Sequence, residues 1–127
     1  MKALFVASTL GMAREDWLEL RRQGIGGSDI GAICGVNPHR SAYEVWVDKI
    51  GMEFDKPENE AMEWGNRLEE LVVQKFTEAH PEWCAIKPQA MYRHPEHEWV
   101  LANPDRILKN QSTGEEAILE IKTSRYG

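Results

Sequence analysis

Residues 102–123, ANPDRILKNQSTGEEAILEIKT, decide how this chain is read. Two apolar runs flank the polar turn KNQSTG, which predicts neighbouring strands joined as a hairpin. Asp105, Glu120 and Lys122 stand in or beside the most apolar parts of those runs. Charges near a core are costly unless something compensates them. Side chains alternate along a strand, so Glu120 and Lys122 share one face, with Leu119 and Ile121 on the other. Pairing across the turn would gather two carboxylates and an ammonium at one end of a twisted sheet. Crowded carboxylates repel unless a proton or a cation lies between them. A hard cation such as Mg²⁺ is satisfied by one or two carboxylates, with waters and substrate phosphate oxygens completing its shell. The lysine would then orient a nucleophilic water or steady charge developing at phosphorus. The ordinary alternative is a solvated strand face carrying unrelated charges.

Working outward, the second half of the chain reads as strands near 84–92, 98–108 and 115–124, with Pro and Gly mainly in the gaps. The first half reads as helices. Residues 14–23 form a short amphipathic helix with Trp17, Leu18 and Leu20 inward, ended by Gly24. GIGGSDIGAICG is a glycine-rich turn entering a small-residue helix, with Ser28 as N-cap and Gly35 as terminator. SAYEVWVDKIG carries a capping box of Ser41 and Glu44, and Gly51 stops that helix. Residues 52–59, with Pro57, form a polar loop. In 60–79, Ala61, Trp64, Leu68, Leu71, Val72 and Phe76 recur at steps of three and four and predict one buried stripe. Helices followed by a meander of strands predict an α+β domain.

Composition narrows the class. The 127 residues are 42% hydrophobic and 28% charged, ordinary for one soluble domain. No apolar run approaches the roughly 20 residues that span a bilayer. MKALFVASTLGMA imitates a signal peptide, but Ser8 and Thr9 break its apolar run, which favours a cytoplasmic protein. Cys34 and Cys84 lack motif spacing and read as buried free thiols. The net charge of −6 argues against general phosphate attraction, so any nucleic-acid contact must be local or metal-mediated.

Weaker candidates fall away. His94 and His97 lie three apart, but no further ligands complete a tetrahedral zinc set, so they read as a loop pair. The five tryptophans, Trp46 and Trp64 among them, read as core rather than base-stacking platforms. The glycine run is G-x-G-G-S-D after a helix, not a dinucleotide fingerprint.

NPD followed fifteen residues after its Asp by EIK resembles the PD-(D/E)xK nuclease signature, a weak pattern by itself. WLELRRQGIGGSDIGAICGVNPHRSAYEVWVDKIG, AMEWGNRLEE and HPEHEWVLANPDRIL, in that order, make the match specific. They resemble the phage and viral recombinase nucleases of the lambda exonuclease and YqaJ type, from about Arg14 to Arg125. That resemblance implies a restriction-endonuclease-like core: N-terminal helices on a mixed, mainly antiparallel sheet, forming a single nuclease domain over 1–127. It implies a Mg²⁺-dependent deoxyribonuclease, with Mn²⁺ as a substitute. Asp105, Glu120 and the Ile121 carbonyl would hold the metal, Glu69 would complete its shell, and Lys122 would position the attacking water.

A helix at about 100° per residue agrees with the family on Glu69, which flanks the apolar stripe beside Gly65 and Val73, while Glu70 faces solvent. Gly65 would allow a close approach. The resemblance also assigns a terminal DNA phosphate to Arg21 and Ser28, and Asn103 stands where many members have a serine. An arginine fork suits a phosphate. Implied partners are double-stranded DNA, degraded from a 5′ end, a single-strand annealing protein that takes the tail, and two further copies in a homotrimer. The expected location is the cytoplasm of a bacterium or phage-infected host. Family members continue with another helix and strand, so the expectation is a chain truncated at its C-terminal end. The alternatives are an endonuclease of the same superfamily, a non-catalytic module binding DNA ends or a recombination partner, and a plain structural domain with scattered acids.

Overall fold

The computed structural model describes residues 2–52 and 60–123. Nearly all of the polar loop expected at 52–59, Pro57 included, lies outside them, as does the end of the strand expected to reach 124. The described elements in chain order are β1 (Leu4–Ser8), α1 (Arg14–Arg22), α2 (Gly27–Ile33), α3 (Ala42–Lys49), α4 (Glu60–Ala79), β2 (Trp83–Ile86), β3 (Ala90–Arg93), β4 (Leu101–Ala102), β5 (Arg106–Asn110) and β6 (Glu116–Leu119). The chain is α+β, with two three-stranded sheets ordered β1-β3-β4 and β2-β5-β6 and every strand pair antiparallel. A single parallel bridge, Ile25 to Val100, stands outside the named strands.

The chain divides into two compact units, residues 1–55 with 89–103 and residues 56–88 with 104–127. The division explains where the expected strands break. The run 84–92 is two strands in different sheets, separated at Lys87–Gln89, where Gln89 takes φ +44°. The run 98–108 breaks at Asn103–Pro104, because proline has no N–H for a ladder. The expected single mixed sheet is thus two antiparallel ones. The N-terminal apolar patch that imitated a signal peptide contains β1, an unpredicted strand paired with β3 through a bulge at Phe5–Ala7.

In the first unit, α1 opens with Glu15 and Asp16 and closes with Arg21 and Arg22, each complementing the helix dipole. Helix α3 has the expected capping box. The Glu44 amide donates to Ser41 Oγ at 3.2 Å, and the Ser41 amide donates to the Glu44 carboxylate at 2.7 Å. Helix α2 starts two residues earlier than expected. Gly26 is its N-cap and Ser28 lies inside it, because Asp29 reaches back to accept the Gly26 N–H at 3.0 Å. Gly24 permits a close crossing, since a Cβ there would sit 2.5 Å from the Trp99 carbonyl oxygen. Ala32, Val45, Ala90, Met91 and Leu101 form this unit's apolar core.

In the second unit the expected hairpin forms. Asn110 accepts amides from Ser112 and Thr113 in the turn, and Gly114 supplies φ +75°. Arg106 and Leu108 on β5 are buried, and with Val73 of α4 they make the unit's interior. The stripe expected to be buried on α4 is not. Trp64, Leu68, Leu71 and Val72 are exposed, while Gly65, Glu69, Phe76 and Thr77 flank buried Val73. The inward face is rotated about one residue from the most apolar one, roughly 100°. The cause is a charge on the sheet, described below. A Cβ at Gly65 would meet no described atom within 4 Å, so close approach to the sheet does not explain that glycine. Ile86, Ile107 and Ile118 align across the three strands on the opposite face, with Ile86 and Ile118 exposed. Trp46 and Trp99 are more than half exposed, and Cys34 and Cys84 are exposed free thiols, against the expectation of burial. No helix is long and apolar enough to cross a membrane among the described residues.

Candidate functional site

Asp105 immediately precedes β5, and Ile121 lies two residues past β6. The last ladder pair between these strands is Arg106 with Leu119. The hairpin stays closed beyond it because the Ile121 amide donates to Asp105 Oδ2 at 2.7 Å. The two halves of the PD…ExK pattern are therefore joined directly. Glu120 and Lys122 flank Ile121 beyond the ladder, not within a strand as expected. They are hydrogen-bonded to each other through Lys122 Nζ and Glu120 Oε1. That bond raises the Lys122 pKa. Desolvation opposes the rise, and the charges of Glu120, Asp105 and Glu69 add to it. The ammonium thus stands in the field of all three acids singled out in the sequence.

Glu69 is engaged elsewhere as well. Arg106, only 3% exposed, donates from Nη1 to Glu69 Oε1 at 2.6 Å and to the Asp105 carbonyl at 2.6 Å. Its Nη2 donates to Glu70 Oε2 at 2.7 Å. This guanidinium turns the acidic flank of α4 toward the sheet and leaves the apolar stripe outside. Glu70, expected to be merely solvated, is mostly exposed but belongs to the same ion-pair set. Arg106 carries no motif of its own in the sequence. The signal available was parity, since Arg106 shares its face with Leu108.

The donor chemistry of Asp105, Glu120 and the Ile121 carbonyl fits a hard divalent cation, for which two carboxylates suffice. Among the described residues, however, no three His, Cys, Asp or Glu side chains are gathered as a ligand set. Arg106 and Lys122 supply the counter-charges around Glu69 and Glu120 instead.

The first unit holds the other predicted group. Arg21 Nη2 donates to Ser28 Oγ at 3.0 Å, and the guanidinium lies 4.7 Å from the centre of the Trp17 ring. The pair expected to take a phosphate is therefore adjacent. Below it lies a residue that sequence reasoning missed. Asp29 has no accessible surface and pairs with Arg40 at 2.9 Å and Lys49 at 3.0 Å. Burial alone would raise its pKa, but the Gly26 amide, Lys49 and the charge of Arg21 outweigh it and hold the carboxyl below its ordinary range. Asn103 is exposed between β4 and β5. His94 and His97 stack at 4.8 Å in a turn where His94 Nδ1 accepts two backbone amides, consistent with a loop pair.

Comparison with known proteins identifies a family. Residues 16–126 match the YqaJ-like viral recombinase domain. The chain is 39% identical over 124 residues to the uncharacterized protein YqaJ of Bacillus subtilis strain 168, covering 97% of this chain and 37% of that protein. Over 55 residues it is 31% identical to protein D345L of African swine fever virus, strain Badajoz 1971 Vero-adapted, covering 43% of this chain and 16% of the viral protein. The chain thus spans little more than a third of the longer-matching relative.

Proposed function

Since the chain belongs to the YqaJ-like viral recombinase domain family, a phage-type recombination nuclease family, we propose that it hydrolyses phosphodiester bonds of double-stranded DNA from a 5′ end with Mg²⁺. The supporting observation is the Ile121–Asp105 hydrogen bond, which ties Asp105 to the Glu120–Lys122 segment at one end of the second unit's hairpin.

Asp105, Glu120 and the Ile121 carbonyl are the residues that would hold the divalent ion, with Glu69 facing it from α4. Mn²⁺ is the substitute ion. When bound, the ion supplies positive charge to the scissile phosphate and acidifies a coordinated water. The residues of the chain do the rest. Lys122, its pKa raised by Glu120, works as an ammonium donor that orients the attacking water and opposes charge growth on the phosphate. Arg106 donates to both the Glu69 carboxylate and the Asp105 carbonyl, and so joins the helix acid to the hairpin. Arg21, which donates to Ser28 Oγ, holds the terminal phosphate together with it, since an arginine fork suits a phosphate. Exposed Asn103 contacts the DNA backbone. The single-stranded product serves an annealing protein, and the working assembly is a homotrimer.

The test is Mg²⁺-dependent digestion of end-labelled linear duplex, with closed circular duplex as the control substrate. Lys122→Ala is expected to slow digestion about 100-fold, the scale of losing one preorganised transition-state donor. Equal rates for the variant and the parent would remove Lys122 from the mechanism. Cutting of closed circles would convert the assignment to an endonuclease.

A further inference from the structure

The carboxylate of Asp29 is the most deeply buried charge in the described structure, and the nuclease chemistry does not use it. We propose that Asp29 is a positioning residue that sets Arg21 and Ser28 for a 5′-terminal phosphate and so determines the preference for phosphorylated DNA ends. The inference rests on the reading of Arg21 and Ser28 given above.

Every partner of Asp29 fixes something beside that pair. The Gly26 amide, donating to Oδ2 at 3.0 Å, shapes the turn that delivers Ser28 two residues later. Lys49 bridges Oδ2, at 3.0 Å, to the Arg21 carbonyl, to which it donates at 3.0 Å, and so pins the last turn of α1. Arg40 takes Oδ1 at 2.9 Å and reaches Asp48 at 3.2 Å, and Asp48 lies 3.5 Å from Arg22, the neighbour of Arg21. Contacts running through one buried carboxylate thereby join the end of α1, the start of α2 and α3. Trp17 backs the Arg21 guanidinium from the preceding turn of its own helix.

Stability alone is a poor reason for such a cluster, because a buried ion pair can often be replaced by apolar residues without loss. Preorganisation is a better one. An arginine already stacked and hydrogen-bonded loses less freedom when it takes a phosphate, and small displacements of a binding group are expensive.

The experiment uses the full chain with Ca²⁺ in place of Mg²⁺ to suppress cleavage. The probes are one linear duplex in 5′-phosphate and 5′-hydroxyl forms, and binding of each is read by fluorescence anisotropy. The parent is expected to bind the phosphorylated end at least about tenfold more tightly, the size of one charge-assisted contact. Asp29→Asn and, separately, Lys49→Met are expected to reduce that ratio to below about threefold. Two variants are measured because Asp29→Asn leaves Arg40 and Lys49 short of a partner and is the one more apt to unfold. A variant acting only through weakened folding would lower affinity for both ends equally and keep the ratio. A retained tenfold ratio in a variant with a cooperative melt overturns the proposal. A parent ratio near one instead removes Arg21 and Ser28 as the phosphate site, and the inference falls with them.

Discussion

Among the described residues each unit buries one charge, and the two do so with opposite sign. In the first unit a carboxylate, Asp29, is enclosed by Arg40, Lys49 and the Gly26 amide. In the second a guanidinium, Arg106, is enclosed by Glu69, Glu70 and the Asp105 carbonyl. The difference lies in the partners. The Lys49 and Arg40 side chains are 14% and 27% exposed, whereas Glu69 is 24% and Glu70 59% exposed. The cations around Asp29 are less exposed than Glu70, and the Arg106 cluster reaches water mainly through that acid.

The contrast can be broken by removing each central charge. Asp29→Ala is expected to cost about 3–5 kcal/mol, because two cations and an amide lose the buried carboxylate they share. Thermal or urea unfolding at neutral pH measures it. Acid sharpens the same test. The folded Asp29 has a lowered pKa, so its stabilisation is full above the ordinary carboxylate range and disappears as pH falls through the folded value. The gap in melting temperature between parent and Asp29→Asn should therefore narrow from pH 7 toward about pH 3. A gap independent of pH would deny the carboxylate this role.

Arg106→Met should cost less, about 2 kcal/mol, since Glu69 and Glu70 can turn to water once released. A larger loss than for Asp29→Ala would show that partner exposure does not set the difference. Ser41→Ala, which uncaps the helix carrying Lys49, is expected to cost about 1 kcal/mol by urea titration. Smallest is Arg67→Ala. Its pairing with Glu63 is exposed on both sides, so the change should stay under about 0.5 kcal/mol.

Much of this molecule was legible residue by residue. The Ser41–Glu44 box, the Asn110–Gly114 turn and the adjacency of Arg21 to Ser28 were all expected and are all present. The stripe on α4 misled because periodicity reports which face is apolar, and Arg106 turned another face inward. The exposed Trp64, Leu71 and Ile118 belong to the same lesson, since an apolar side chain is buried only where a partner surface is present. Asp29 was hidden by its motif. Within GGSD it reads as a helix-start acid, and it does fill that role toward Gly26, but burial came from residues 11 and 20 positions further on.

The sequence by itself determined the helices, the hairpin and the family pattern, because capping, turn chemistry and side-chain alternation act over a few neighbouring residues. Tertiary structure alone decided which charges are buried and what compensates them. Arg106 meets Glu69 across 37 residues of chain, and only the packing of α4 on its sheet brings that pair together. Desolvation, the force that makes such pairs matter, is a property of enclosure and has no local signature.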